Sequence, residues 1–412
     1  MTIAYADCSA MDASDPLAPA RERFVIPHGV IYLDGNSLGA LPRSTPARLL
    51  RVMEKEWGED LVRSWNTNDW IGMPARLGAR IAPLIGAAAD EVIVADSTSV
   101  NLFKLAAAAL GLNAPRRVIL TERDNFPTDL YVLQGLEELL GGAVTMRMVA
   151  RGELESALDE DVALLALTHV DFRTGEIHAM KRLTAAAHAS GALGLWDLSH
   201  SAGAMALHLD ADDVDLATGC GYKYLNGGPG APAFLFVARR LQGQLRQPLS
   251  GWMGHAAPFE FAAQYRPAEG MRRTLCGTPP VLSMAALEEG LRSFDGIDMG
   301  ALRAKSRALG DLFLDLVEAR CADAGFEMAC PRDSARRGSQ VSLRHPQGYA
   351  IMQALIAQGV IGDFRAPDIL RFGFAPLYTR YVDVWNAVDR LAVIMSEESW
   401  RDARFQARAV VT

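Results

Sequence analysis

A chain of 412 residues is too long for one small core and points to a large domain with a smaller one attached. Half of the residues are hydrophobic and 22% are charged, as in ordinary globular proteins, and a net charge of −8 speaks against nucleic acid as a main partner. No apolar run reaches the roughly 18 residues needed to span a bilayer, and the N-terminus, with Asp7, Asp12 and Asp15, lacks the basic region and apolar stretch of a signal peptide.

Taken in chain order, the pattern is alternation. Thr45-Pro46 reads as an N-cap followed by Pro at the first helical position, and Gly58 closes a helix of about three turns. An irregular segment rich in Trp (Trp57, Trp65, Trp70) leads into short apolar runs at Val92–Ala95, Val118–Thr121, Val144–Val149, Val162–Thr168, Ala192–Asp197, Val214–Thr218 and Ala233–Ala238. Helical stretches lie between most of them, at Val100–Leu110, Thr128–Leu140 and Met180–Ala189. Apolar strands alternating with helices predict an α/β fold with a mainly parallel sheet covered on both faces. Ser283 to Cys321 is helical in pattern with a break near Gly296, and joins the sheet to a C-terminal α+β unit. That unit has strands near Gln340–Arg344, Val360–Arg365 and Leu370–Phe374. The expected division is an N-terminal segment and first helix (1–58) packing with the small domain, a large domain (59–285), and linking helices with the small domain (286–412). Five cysteines (Cys8, Cys220, Cys276, Cys321, Cys330) form no CxxC pair and no metal-ligand spacing, which suits a reducing cytoplasm.

The run Cys220-Gly221-Tyr222-Lys223-Tyr224-Leu225-Asn226-Gly227-Gly228-Pro229-Gly230 places one Lys between aromatics in an apolar region. An unpaired buried amine is costly, so this one is expected to be bonded to something. A Schiff base with the aldehyde of pyridoxal phosphate (PLP) is one such case, and that cofactor also needs a carboxylate for its pyridine nitrogen. Asp197 stands at the tip of the preceding apolar strand. Each residue alone is more readily a surface Lys or an N-capping Asp; the two in this order and at this spacing favour the cofactor. Ligands of such sheets bind beyond the C-terminal strand ends, where further polar groups fall. Asp96-Ser97-Thr98-Ser99 opens a helix, and its free N–H groups and hydroxyls suit a phosphate, although, taken alone, simple N-capping is the favoured account of them. Asn125-Phe126-Pro127-Thr128-Asp129 offers Phe126 as a flat face for a pyridine ring. Thr168-His169 ends the fourth strand, and His200 follows Asp197 by one turn.

Asp34-Gly35-Asn36-Ser37-Leu38-Gly39, Phe126-Pro127-Thr128-Asp129, Asp197-Leu198-Ser199-His200, Gly221-Tyr222-Lys223-Tyr224 and Leu370-Arg371-Phe372-Gly373-Phe374-Ala375-Pro376-Leu377-Tyr378 resemble the bacterial kynureninase family. These are fold type I PLP enzymes of the aspartate aminotransferase-like superfamily. The resemblance runs from about residue 30 to about residue 395. It implies hydrolysis of L-kynurenine to anthranilate and L-alanine in tryptophan degradation, on a homodimer with shared sites. Lys223, Tyr222 and Asp197 are the expected catalytic set. Thr98, Ser99, Phe126, Asp129, Thr168, His200, Trp252 and Thr278 complete the cofactor contacts, with Trp252 and Thr278 reaching the phosphate of the neighbouring subunit. Arg371 is expected at the substrate α-carboxylate, because a guanidinium binds a carboxylate by a two-point fork, and Arg365 competes for that role. Trp65, Ser37 and Gly277 join the substrate site. Animal relatives carry Asn where this chain has Thr278 and a His near the position of Trp65, so 3-hydroxykynurenine is the expected poorer substrate.

Other classes fit less well. A cysteine desulfurase needs a nucleophilic Cys on a mobile loop, whereas Cys321 closes a helical pattern and Cys330 precedes a Pro. A class V aminotransferase would pass the amino group to the cofactor. A PLP-binding regulator usually carries a basic DNA-binding module, which the chain does not suggest. A nicotinamide enzyme would place G-x-G-x-x-G between a strand and a helix, but Gly227-Gly228-Pro229-Gly230 leads into a strand.

Overall fold

The computed structural model describes residues 3–408. Seven apolar runs form one sheet whose strands stand in the order Val92–Val94, Phe234–Val237, Leu216–Gly219, Leu193–Asp197, Val162–Thr168, Val118–Glu122 and Thr145–Val149. Neighbours pair in parallel except around Phe234–Val237, which is antiparallel to both of its partners. The sheet is mainly parallel, as its apolar runs predict. Alternate side chains serve opposite faces. Leu165 and Leu167 join a cluster with Met73, Leu77 and Ile81 of the Met73–Ile85 helix, while Leu164 and Ala166 join another with Leu102 and Leu105 of the Thr98–Leu112 helix. Gly78 lets the first of these helices come close, since a Cβ there would stand 2.2 Å from the Val92 carbonyl oxygen. Only Thr145–Val149, at the sheet edge, is buried at none of its residues.

The C-terminal unit has its own antiparallel sheet, in the order Glu327–Met328, Gln340–Arg344, Ile369–Gly373 and Asp363–Arg365. The helices Met299–Arg320, Gly348–Ala357 and Tyr381–Ser396 share a separate apolar cluster with it. The run Val360–Arg365, expected as one strand, divides at Gly362. Val360–Ile361 pairs in parallel with the N-terminal Ile31–Tyr32, whereas Asp363–Arg365 turns to Ile369–Gly373. A Cβ on Gly362 would meet the Arg371 carbonyl oxygen at 2.7 Å, so the turn rests directly on that strand.

The helix expected to open at Thr45, which in the structure follows an earlier helix over Tyr5–Ala13, also departs from expectation. Its N-cap position is Ser44, and after Thr45–Arg51 the coil widens to a π-helix over Val52–Glu59. In that register the buried Glu56 carboxylate accepts from Arg48 Nη1 at 2.7 Å and Trp70 Nε1 at 2.8 Å, two partners that a one-dimensional helix pattern does not contain. The N-terminal segment serves both cores: Cys8, Ile31 and Leu33 pack in the C-terminal cluster, and Leu17, Phe24, Ala40 and Val52 in the large one.

The segment is held by charge as well. Asp12 accepts from the Tyr381 and Val382 N–H groups at 2.7 and 3.0 Å, satisfying donors at the start of a helix. Asp15 and Lys305 form a 2.6 Å ion pair with side chains only 4% and 5% exposed. Removing one partner of such a pair strands the other charge, so Asp15→Ala should lower stability by about 3–5 kcal/mol. A urea midpoint equal to that of the unaltered protein would contradict this.

Candidate active site

Three parallel strands deliver their last residues to one place. Thr168 stands beside Asp197, and Asp197 beside Thr218, in register. Asp197 Oδ1 accepts from the Ser199 N–H at 2.8 Å and its hydroxyl at 2.6 Å. The Thr168 hydroxyl donates to Asp129 Oδ2 at 2.9 Å, and its N–H donates to Asn125 Oδ1 at 3.1 Å. Burial, and then the charge of Asp197, push the Asp129 carboxyl well above the usual range; burial raises Asp197 too. Two carboxyls with one cation nearby are thus disposed to hold a proton on Asp129.

That cation is Lys223. Its Nζ lies 3.0 Å from His200 Nε2, and 6.0 and 5.9 Å from the ring centroids of Phe126 and Tyr222. Burial and the Lys223 charge hold the His200 imidazole far below its ordinary pKa, so the ring is neutral. An ammonium can only donate. Nε2 therefore accepts and the ring proton sits on Nδ1, a buried atom with no partner among the described residues. Among the described residues Lys223 has no carboxylate ion pair. Burial also raises the Tyr222 phenol, which stays protonated at neutral pH.

The glycine-rich run closes this loop tightly. A Cβ at Gly221 would stand 2.4 Å from the Pro232 carbonyl oxygen, and Asn226 takes a left-handed φ of 57°. The N-terminal Asp34–Gly39 segment lies on top: the Gly39 N–H donates to the Tyr222 carbonyl at 2.8 Å, and a Gly39 Cβ would be 2.4 Å from that of Lys223.

Arg371 is 2% exposed and forked by Asp363, with Nε 2.6 Å from Oδ1 and Nη2 bonded to Oδ2. Its Nη1 donates to the Phe172 carbonyl, and Nη2 also reaches the Ser37 hydroxyl at 3.3 Å. Ser37 donates to Asp363 Oδ2 at 2.7 Å, where Arg365 Nη2 also arrives at 3.0 Å. Against the cost of burial, the Arg371 hydrogen bonds and charge keep Asp363 below the usual range. Asp363 was not singled out from the sequence, although an acid inside the apolar run Val360–Phe364 is the same kind of signal that marked Asp197. Phe172, whose ring meets Phe126 edge-on at 5.1 Å, carried no signal.

Other expected residues stand apart. Thr98 and Ser99 begin their helix two residues earlier than predicted, behind Ser97 as N-cap, and among the described residues their hydroxyls make no hydrogen bond. Trp65 meets Trp70 edge-on at 5.8 Å, and both line a cavity of about 500 Å3 with Thr278 and Pro279. Trp252 is 37% exposed and meets Phe259 at 5.7 Å. Gly277 and Thr278 are exposed. None of these four (Trp65, Trp252, Gly277, Thr278) makes a hydrogen bond or ring contact with Lys223, Asp197 or His200 of the same chain among the described residues. No cysteine offers a ready nucleophile: Cys8, Cys220, Cys321 and Cys330 are buried, and burial raises all five thiols.

Asp34 faces the same cluster with a buried, unpartnered Oδ1. Burial and then Asp363 push its carboxyl up to about 7, against Ser37, Arg371 and Arg365. A pKa raised on folding stabilises fully below the unfolded value, about 3.9, and this contribution is lost as pH rises through the folded one. The melting temperature of Asp34→Asn relative to the unaltered protein should therefore increase from pH 4 to about 7 and level off above. A difference that stays flat over that window would refute the assignment.

A family model described as the kynureninase C-terminal domain matches residues 302–391. A kynureninase of Burkholderia mallei (strain SAVP1) is 54% identical over 408 residues, 98% of each chain. The kynureninase of Pseudomonas fluorescens is 52% identical over 411 residues, 98% of this chain and 99% of its own. Among solved structures, an apo cysteine desulfurase from Thermococcus onnurineus NA1 covers 92% of this chain and 98% of its own, with a TM-score of 0.78 at 18% identity, a likeness of fold. With half its residues shared over almost its full length, and its polar strand ends gathered around Lys223, the chain belongs to the kynureninase family.

Proposed function

We infer that this protein is a PLP-dependent hydrolase that cleaves L-kynurenine into anthranilate and L-alanine. The observation that carries the reading is an amine, Lys223, paired with a neutral His200 instead of a carboxylate and set beside Asp197, in a chain of this family. The donor set fits the cofactor: a free amine for an aldehyde, a buried carboxylate for a ring nitrogen, and unbonded hydroxyls at a helix N-terminus for a phosphate. His200 Nδ1, a buried donor without an acceptor among the described residues, also fits a polar group of the cofactor.

When bound, PLP supplies an aldehyde for the amine and a protonated ring that takes up the electron pair left by a departing Cα proton. The chain's own groups do the rest. Lys223 removes and returns protons at Cα, with its amine oriented by His200 Nε2. Asp197 holds a proton at the ring nitrogen, and Asp129, itself protonated, adds no second negative charge there. Tyr222, Thr98 and Ser99 hold the phosphate, and the protonated Tyr222 phenol can pass a proton onward. Arg371 receives the α-carboxylate at Nη1 and, in place of the long Ser37 contact, at Nη2, because Asp363 occupies Nε and one side of Nη2 and the Phe172 carbonyl takes one Nη1 hydrogen. Water adds to the γ-carbonyl and the Cβ–Cγ bond breaks. The aryl acyl carbon leaves as the carboxylate of anthranilate, and Cβ takes a proton to become the methyl group of alanine.

The same proposal includes a homodimer in which Trp252 and Thr278 complete the neighbour's phosphate site. It is supported by the lack of hydrogen bonds or ring contacts between these two residues and Lys223, Asp197 or His200 of their own chain among the described residues, and by exposed Trp57, Phe259 and Phe261. The same reading divides the chain into 1–58, 59–285 and 286–412: two apolar clusters are built mainly from 59–285 and one mainly from residues beyond 302, while the N-terminal segment contributes to both cores. No helix of the described residues is long and apolar enough to cross a membrane, and we place the enzyme in the cytoplasm, in tryptophan breakdown.

Lys223→Ala should bind PLP without a covalent link and lose about 10³-fold or more in kcat. Borohydride trapping of the cofactor on another residue, such as Lys104 or Lys181, would overturn the assignment. Trp65 and Thr278 should favour kynurenine over 3-hydroxykynurenine in kcat/KM, because their pocket offers little hydrogen bonding for a ring hydroxyl. Apolar pockets discriminate by about 1–3 kcal/mol. Replacing Trp65 by His together with Thr278 by Asn should narrow or reverse the ratio; equal use of both substrates by the unaltered enzyme would contradict the pocket argument.

A further inference from the structure

Lys104 is buried on the Thr98–Leu112 helix, its side chain 0% exposed, and the reaction has no use for it. Its Nζ holds two groups at once. One is the carboxylate of Asp96, which precedes the Ser97 N-cap and takes a left-handed φ of 49°. The other is the Thr274 carbonyl oxygen, at 2.7 Å. Asp96 is fixed from its other side by the Ala233 N–H, which donates to its carbonyl at 2.8 Å. A non-glycine residue in this conformation persists only where its surroundings over-determine it.

Thr274 leads to an arm. Two residues on, the Cys276 carbonyl accepts from the Met253 N–H at 3.1 Å, and a Cβ on Gly251 would stand 2.3 Å from the same oxygen. Cys276 Sγ donates to the Leu249 carbonyl at 2.8 Å. The stretches carrying Trp252 and Gly277-Thr278 are thus fastened to each other at Cys276, and to the Thr98–Ser99 turn through Lys104. A single buried ammonium joins the helix start of its own phosphate cradle to the two outward residues.

We propose that Lys104 is a positioning residue that couples the phosphate cradle of its own subunit to the Trp252–Thr278 arm offered to the neighbour, so that its loss weakens cofactor binding in both subunits of a dimer. The inference rests on the dimeric PLP reading above. Cutting the link strands Asp96 beside an apolar side chain and frees the arm from the cradle.

The test reads the neighbour's site alone. In a hybrid dimer, one subunit carries Lys223→Ala with Lys104→Met and the other is unaltered; the control hybrid lacks Lys104→Met. Only the unaltered subunit can bond PLP through Lys223, and its own Lys104 is intact. Titrating the apo hybrids with PLP and counting borohydride-trapped label should show about tenfold weaker loading with Lys104→Met, the scale of ordinary coupling between sites. Asp96→Asn in place of Lys104→Met keeps the fold falsifiable and should act in the same direction. Equal loading of the hybrids, with either substitution, overturns the proposal. Failure of the parent reading looks different: unaltered protein that sediments as a monomer or traps no label at Lys223.

Discussion

Parallel register decides where the polar groups around Asp197 can stand. Val162–Thr168, Leu193–Asp197 and Leu216–Gly219 run side by side in the same direction. Their buried, apolar lengths forbid a charge until the chain leaves the sheet, and they leave it together. Thr168 and Asp197 are neighbours because their strands are, and Asp129 joins them through the Thr168 hydroxyl. A shift of one residue in either strand would turn Asp197 into an apolar face. The Lys223 loop need only fold back over these ends, which its glycines allow.

Charge balance then divides the site in two. Around Lys223, burial and like charges set the balance: Asp197 keeps a proton on Asp129, and the Lys223 charge keeps His200 neutral. Around Arg371, two guanidinium groups meet Asp363 and Asp34, and the deeper cost falls on Asp34. The two regions are joined at Phe172, whose carbonyl accepts from Arg371 and whose ring meets Phe126. In the proposed reaction an arriving amino acid would bridge them, with its amine toward Lys223 and its carboxylate toward Arg371.

Strands were the most legible part of the sequence because burial on both faces leaves an uninterrupted apolar signature. Val162–Thr168 and Gln340–Arg344 have the predicted bounds. The π-turn over Val52–Glu59 was not legible, since it answers to Arg48 and Trp70 in three dimensions. Lys223, Asp197 and Arg371 stood out as charges in apolar surroundings, and the structure brings Lys223 and Asp197 together with His200. Asp363 gave the same signal but was hidden inside a run read as one strand. Trp65 and Thr278 share a cavity that no local pattern foretells, because 213 positions separate them (278 − 65).

The N-terminal segment covers the Lys223 loop at Gly39, yet Ile31–Tyr32 is pinned by Val360–Ile361, near the far end of the chain. Synthesis is vectorial, at about 5–20 residues per second. On a ribosome, the segment made first must wait tens of seconds for the strand that secures it, while the sheet it will cover is already emerging. The Lys223 loop therefore receives this cover last. A nascent chain cannot present a finished site until its own tail has been translated, and a chain terminated early exposes the amine instead of enclosing it.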